Sequence, residues 1–137
     1  GRAAVVKTLG NPDCHVVLRG SSHGPNYDAA SVAKAMDTIR AEMPADSAAA
    51  HGLIVDCSHG NSGKDEHRQA QVVRDIAGRI AKGEQGITGI MMESFIEGGN
   101  QKAAPLDQSI TDKCLSWNTT EQLLRELAHA VAVRRWK

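Results

Sequence analysis

The sequence predicts an α/β fold with parallel strands and right-handed helical crossovers. Short apolar runs of strand length alternate with longer stretches whose apolar residues recur every three or four positions, and this happens three times. Each principal apolar run also ends on an ionisable residue followed by a loop, in "VVLRG", "IVDCSHG" and "GIMMESFIEGG". With two Trp, one Tyr and one Phe in 137 residues, the core has to be built from Val, Ile, Leu, Met and Ala.

The elements follow in order. Residues 3–6 ("AAVV") and 14–19 ("CHVVLR") flank Gly10-Asn11-Pro12-Asp13, a cluster that favours turns; together they predict a short β-hairpin leading into a buried strand. Val32, Met36, Ile39 and Met43 share one face of a helix over 28–43. "GLIVDCS" (52–58) is a second strand. Over 64–82, Val72, Val73, Ile76 and Ile80 line one helical face, and Gly83 supplies a stop. "GITGIMMES" (86–94) makes a third strand. Asn118 and Glu121 have capping-box spacing ahead of a final helix with Leu124, Leu127 and Val131 as its stripe. No linker or internal repeat divides the chain, so 1–137 reads as one segment.

Composition removes several function classes. Sixteen Lys+Arg balance sixteen Asp+Glu, and no basic stripe interleaves with aromatics, which argues against nucleic acid as a partner. The apolar runs fall far short of the roughly 20 residues of a membrane span, and no signal-peptide pattern opens the chain. Cys14, Cys57 and Cys114 are odd in number and include no CxxC pair, as expected of reduced thiols in the cytoplasm.

In parallel α/β proteins the ligand site lies beyond the carboxyl ends of the strands, so Arg19, His59 and Glu93 are expected to converge there. The densest stretch is "DCSHGNSGKDEH" (56–67). It fails as a phosphate loop, because G-x-x-x-x-G-K-[ST] needs Gly where Ser58 stands and Ser or Thr where Asp65 stands. A hydrolase using Ser58 or Cys57 with His59 lacks the G-x-S-x-G elbow, and neighbours in a strand point to opposite faces. Metal binding through His59, with Glu93 and Asp112 as oxygen donors, suits Mn, Fe, Co or Zn. The alternative is a solvated set: His59 hydrogen-bonded near a helix start, Glu93 and Asp112 in loops, and Arg19 in a surface ion pair. His15, His23, His51, His67 and His129 fit that description, since none combines a strand end with polar partners. Residue chemistry alone leaves the two readings of His59 open.

Six segments occur in the order and near the spacing of a known family: "DCHVVLRG", "PNYD", "DCSHGNSGK", "GIMMES", "EGGNQ", and "QSITDKC" followed by Trp117. From Gly1 to Trp136 the chain resembles the carboxyl-terminal part of the type I 3-deoxy-D-arabino-heptulosonate 7-phosphate (DAHP) synthases of bacteria and fungi. The resemblance implies the last three strand–helix units of a (β/α)8 TIM barrel. It also implies a transferase of the shikimate pathway and aromatic amino acid biosynthesis, condensing phosphoenolpyruvate with erythrose 4-phosphate in a metal-dependent reaction. On that pattern the metal ligands are His59, Glu93 and Asp112. Arg19 holds the phosphoenolpyruvate phosphate, and Lys64 is a candidate accessory anion contact. The resemblance further implies a homo-oligomer, and relates the stretch around 3–19 to a region involved in feedback control by an aromatic amino acid.

A barrel typically needs about 250 residues, or about 200 at least, against 137 here. The family's cysteine metal ligand and its K-P-R-T-S segment lie upstream of the matching region. The chain is therefore expected to associate with a missing amino-terminal half, because three strands with helices on one side leave a sheet face and both edges uncovered. The hypothesis to set beside catalysis is a fragment that only associates.

Overall fold

The computed structural model describes residues 1–11, 13–103 and 106–136. Strand β1 (Val17–Leu18), helix α1 (Ala29–Glu42), the single-turn helix α2 (Ala48–His51) and strand β2 (Leu53–Asp56) come first. A second single-turn helix α3 (His59–Ser62), helix α4 (Glu66–Ala81) and strand β3 (Ile87–Met91) follow. The chain closes with β4 (Ser94–Phe95), β5 (Leu115–Ser116) and helix α5 (Trp117–Arg135). The first three strands form a parallel sheet in the order β1-β2-β3. This is the α/β arrangement that the alternation predicts, since parallel neighbours need a crossover between them.

The register decides which side chains are covered. Val17 lies opposite Ile54, whereas Leu18 pairs with Val55 and Val55 with Ile90. The second set faces the helices, where Leu53 and Val55 are fully buried against Val32, Met36 and Ile39 of α1 and Val72, Val73, Ile76 and Ile80 of α4. Both predicted helical stripes therefore form the core. On the opposite face Val17 remains 47% exposed, as expected of a sheet with helices on one side. No helix among the described residues is long and apolar enough to cross a membrane.

Helix starts follow side-chain chemistry. Asp28 caps α1 by accepting from the Ser31 N–H at 3.0 Å, and Asp65 caps α4 by accepting from the N–H groups of His67 and Arg68 at 2.9 Å. The predicted helix over 64–82 is accordingly α4 alone, with His59–Ser62 spent on a separate turn.

Four expectations need correction. The hairpin is absent: residues 1–11 contain no strand, Val5 and Val6 are exposed, and Val17–Leu18 pairs in parallel with β2 instead. An isolated two-stranded hairpin is marginal in water, and nothing among the described residues covers an apolar face at residues 3–6; Pro12 of the proposed turn lies outside the described residues. The third strand breaks in two, because β4 leaves the sheet to pair with β5. The cap of α5 is Ser116, which accepts from the Thr119 N–H at 3.2 Å, in place of Asn118. Its buried face runs through Thr120, Leu123 and Ala130, with Leu127 and Val131 partly buried and Leu124 exposed. The polar Thr120 belongs to that face because its hydroxyl is hydrogen-bonded to Ser94 at 2.6 Å, a contact a purely apolar stripe overlooks.

Candidate metal centre at the strand ends

The site begins where β2 ends. Asp56, 3% exposed, accepts from the Ser58 N–H at 2.8 Å through Oδ1 and lies 2.7 Å from His59 Nδ1 through Oδ2. One carboxylate thus makes the turn and orients the ring. His59 sits at φ +44, in the left-handed region. That departure from strand geometry removes the objection that consecutive side chains diverge, but the Ser58 hydroxyl turns to Glu93, donating to Oε2 at 2.7 Å. In the tautomer whose Nδ1–H donates to Asp56, the ring's lone pair lies on Nε2. Nε2 is 3.8 Å from Glu93 Oε1.

Asp112 arrives from the other end of the chain. The loop that carries it is folded back by paired backbone bonds: Gly99 N–H to Cys114 O (2.9 Å), Cys114 N–H to Gly99 O (3.1 Å) and Gln101 N–H to Ser109 O (2.8 Å). Donor atoms of His59, Glu93 and Asp112 all lie within 4.8 Å of one another. Lys64 Nζ donates to Asp112 Oδ2 at 2.8 Å. That hydrogen bond, with the charge of the lysine, holds the Asp112 carboxyl below its ordinary range. One imidazole nitrogen and two carboxylates form a mixed N/O set that fits a divalent transition metal, so the donor chemistry passes the test for the group the sequence resemblance implies.

Arg19 is brought to the same end of the sheet by its backbone. Gly20, at φ +85, packs so closely on Gly60 that a Cβ there would sit 2.5 Å from the Gly60 carbonyl carbon. Asn61, 4% exposed, ties the junction together: its Nδ2 donates to Leu18 O (3.0 Å) and Asp56 O (2.8 Å), and its Oδ1 accepts from the Asn26 N–H (2.8 Å). The arginine residue itself is exposed, so of the three expected strand-end groups His59 and Glu93 come together while Arg19 stands at the rim. Lys64 is engaged with Asp112.

Two other sequence candidates take structural places. Cys57 is fully buried, and burial together with Asp56 pushes its thiol up to about 12, which leaves no thiolate near neutral pH. The five remaining histidines are exposed, and none joins the cluster. Sequence reasoning passed over Asn61 and Gln69, both buried. Gln69 could have been noticed, because it falls in register with Val72, Val73, Ile76 and Ile80 on an otherwise apolar face.

The comparisons with known proteins agree with one another. The family model described as DAHP synthetase I family matches residues 2–125. A phospho-2-dehydro-3-deoxyheptonate aldolase of Corynebacterium glutamicum is 44% identical over 98% of this chain. The Phe-sensitive phospho-2-dehydro-3-deoxyheptonate aldolase of Escherichia coli is 43% identical over 98% of it. The solved structure of the Francisella tularensis phospho-2-dehydro-3-deoxyheptonate aldolase superposes on 96% of this chain with a TM-score of 0.82 and 39% identity. The chain spans about 38% of the length of each of these three relatives. It belongs to the DAHP synthetase I family.

Proposed function

We propose that this chain supplies part of the active site of a metal-dependent synthase that condenses phosphoenolpyruvate with erythrose 4-phosphate to give DAHP and phosphate, the entry step of the shikimate pathway. The observation that carries the reading is the meeting of His59, Glu93 and Asp112 within 4.8 Å beyond the carboxyl ends of parallel strands, where α/β enzymes build their sites.

His59 through Nε2, with Glu93 and Asp112 through carboxylate oxygens, would hold a divalent ion such as Mn, Fe, Co or Zn. Bound there, the ion supplies Lewis-acid polarisation of the erythrose 4-phosphate aldehyde. Arg19 binds the phosphoenolpyruvate phosphate through charge-assisted hydrogen bonds and fixes its approach to the aldehyde. Lys64 sits beside Asp112 as a second cation for an anionic substrate group. Its charge also favours the ionised form of Asp112.

The three parallel strands with α1, α4 and α5 then correspond to the last strand–helix units of a (β/α)8 barrel, in a cytoplasmic homo-oligomer. The uncovered side of the sheet, with Val17 exposed, supports association with the remaining units of such a barrel. It equally suits a chain that only associates. The discriminating experiment combines this chain with metal, both substrates and a separately expressed amino-terminal half. Product formation supports the synthase; proven association without product supports the associating fragment. In the complete enzyme, Asp112→Ala should abolish metal-dependent turnover, and activity retained at full metal occupancy overturns the assignment.

A further inference from the structure

Gln69 is 1% exposed, on the core-facing side of α4 among valines and isoleucines. Burying an amide there is costly unless both its ends are satisfied. They are satisfied by one residue: Gln69 Oε1 accepts from the Glu93 N–H at 2.6 Å, and Gln69 Nε2 donates to the Glu93 carbonyl at 3.3 Å. Glu93 lies in the gap where the chain has left β3 and has not yet joined β4. Just past β2, the Cys57 N–H donates to the Met91 carbonyl at 2.9 Å. On the far side the Leu115 N–H reaches the Glu93 carbonyl at 2.9 Å. The Glu93 N–H, by contrast, is met by the glutamine alone among the described hydrogen bonds. A side-chain amide from a helix thus takes the place of a neighbouring strand.

We propose that Gln69 is a positioning residue for the metal centre: by clamping the Glu93 backbone between the two sheets it sets where that carboxylate meets His59 and Asp112. The proposal rests on the metal reading above. Two independent supports converge on Glu93. Ser58 fixes the carboxylate through Oε2, and Gln69 fixes the main chain from which the side chain springs. Rotating the carboxylate about a loose backbone would carry Oε1 away from the 3.8 Å approach to His59 Nε2. Groups that orient metal ligands without touching the ion commonly govern affinity by about 10–100-fold.

The test titrates the metal-stripped full-length protein with Mn2+, following free Mn2+ by electron paramagnetic resonance, alongside a melting curve in chelator. Three variants are compared with the parent. Gln69→Met keeps the volume and removes both hydrogen bonds; it should bind Mn2+ about 10–100-fold more weakly. Gln69→Glu keeps an acceptor for the Glu93 N–H and, when protonated, a donor for its carbonyl. It should keep parental affinity even though a buried acid melts lower. If Gln69 serves only to fill the core, affinity will track melting temperature and Gln69→Glu will fare worse than Gln69→Met; that order, or parental affinity in Gln69→Met, overturns the proposal. Should Gln69→Met fail to fold, Gln69→Asn, one methylene too short to span the gap, takes its place with the same expected loss. Glu93→Ala separates the two levels. Undiminished affinity there overturns the metal reading and this proposal with it. Weakened affinity in Glu93→Ala with none in Gln69→Met overturns the proposal alone.

Discussion

Asp56 holds His59 by a 2.7 Å contact to Nδ1 while its other oxygen accepts the Ser58 N–H, so a single buried carboxylate both bends the chain out of β2 and leaves Nε2 of the ring facing Glu93. Asp56→Asn preserves the shape but lowers the strength of the acceptor and frees the ring to adopt the other tautomer. We expect Mn2+ affinity to fall by about 10–100-fold, measured by equilibrium titration, with a melting temperature in chelator close to that of the parent.

The junction of Gly20 and Gly60 should tolerate no side chain. A Cβ on Gly20 would sit 2.5 Å from the Gly60 carbonyl carbon and 2.7 Å from the Asn61 nitrogen, on a backbone already at φ +85. Gly20→Ala is expected to cost about 2–5 kcal/mol, from left-handed strain and overpacking together. The denaturation midpoint would report it, and a loss below about 1 kcal/mol would show that the strand-end loop yields.

Thiol reactivity should separate the cysteines. Cys14 is exposed, whereas Cys57 is buried with its thiol pushed up to about 12. Iodoacetamide at about pH 8 should modify Cys14 in the native protein and reach Cys57 only in denaturant. Mass spectrometry of the peptides reads the result; rapid native labelling of Cys57 would revive it as a nucleophile.

Asp28 gives a pH dependence of stability. Its hydrogen bonds from the Ser31 hydroxyl and N–H hold the carboxyl below its ordinary value of 3.8. An acid whose folded pKa is depressed contributes fully above its unfolded value, and the contribution fades as pH falls through the folded one. Asp28→Ala should therefore cost about 1 kcal/mol near pH 7. The gap between variant and parent should narrow in urea titrations as pH falls below the ordinary carboxyl value of 3.8. A constant gap would mean that the cap works without its charge.

What could be read from residue order was local in origin. Val72, Val73, Ile76 and Ile80 mark one helical face whatever the rest of the chain does, since 3.6 residues per turn is a property of the backbone. Alternation with short apolar runs then requires parallel strands, and such strands place His59 at a carboxyl end. Residue chemistry already offered Glu93 and Asp112 as oxygen donors beside His59, and the six motifs added, by resemblance, the expectation that the three hold a metal together. Local rules failed where a partner decided the outcome. Residues 3–6 have strand-like composition but no strand to pair with among the described residues, Thr120 is buried because Ser94 meets its hydroxyl, and β4 departs because β5 competes for it.

Tertiary structure alone determined the site's geometry. Lys64 and Asp112 are 48 residues apart in sequence and 2.8 Å apart in space, and no periodicity connects them. The distances among His59, Glu93 and Asp112 depend on a folded-back loop, on the Asn61 ties between strand ends and on a glutamine reaching out of a helix. The residue types carry the chemistry of the donors and the strand order their common end of the sheet. Bringing three donor atoms within 4.8 Å requires buried polar groups whose partners become apparent only when the chain is folded, because each is satisfied by a group distant in sequence.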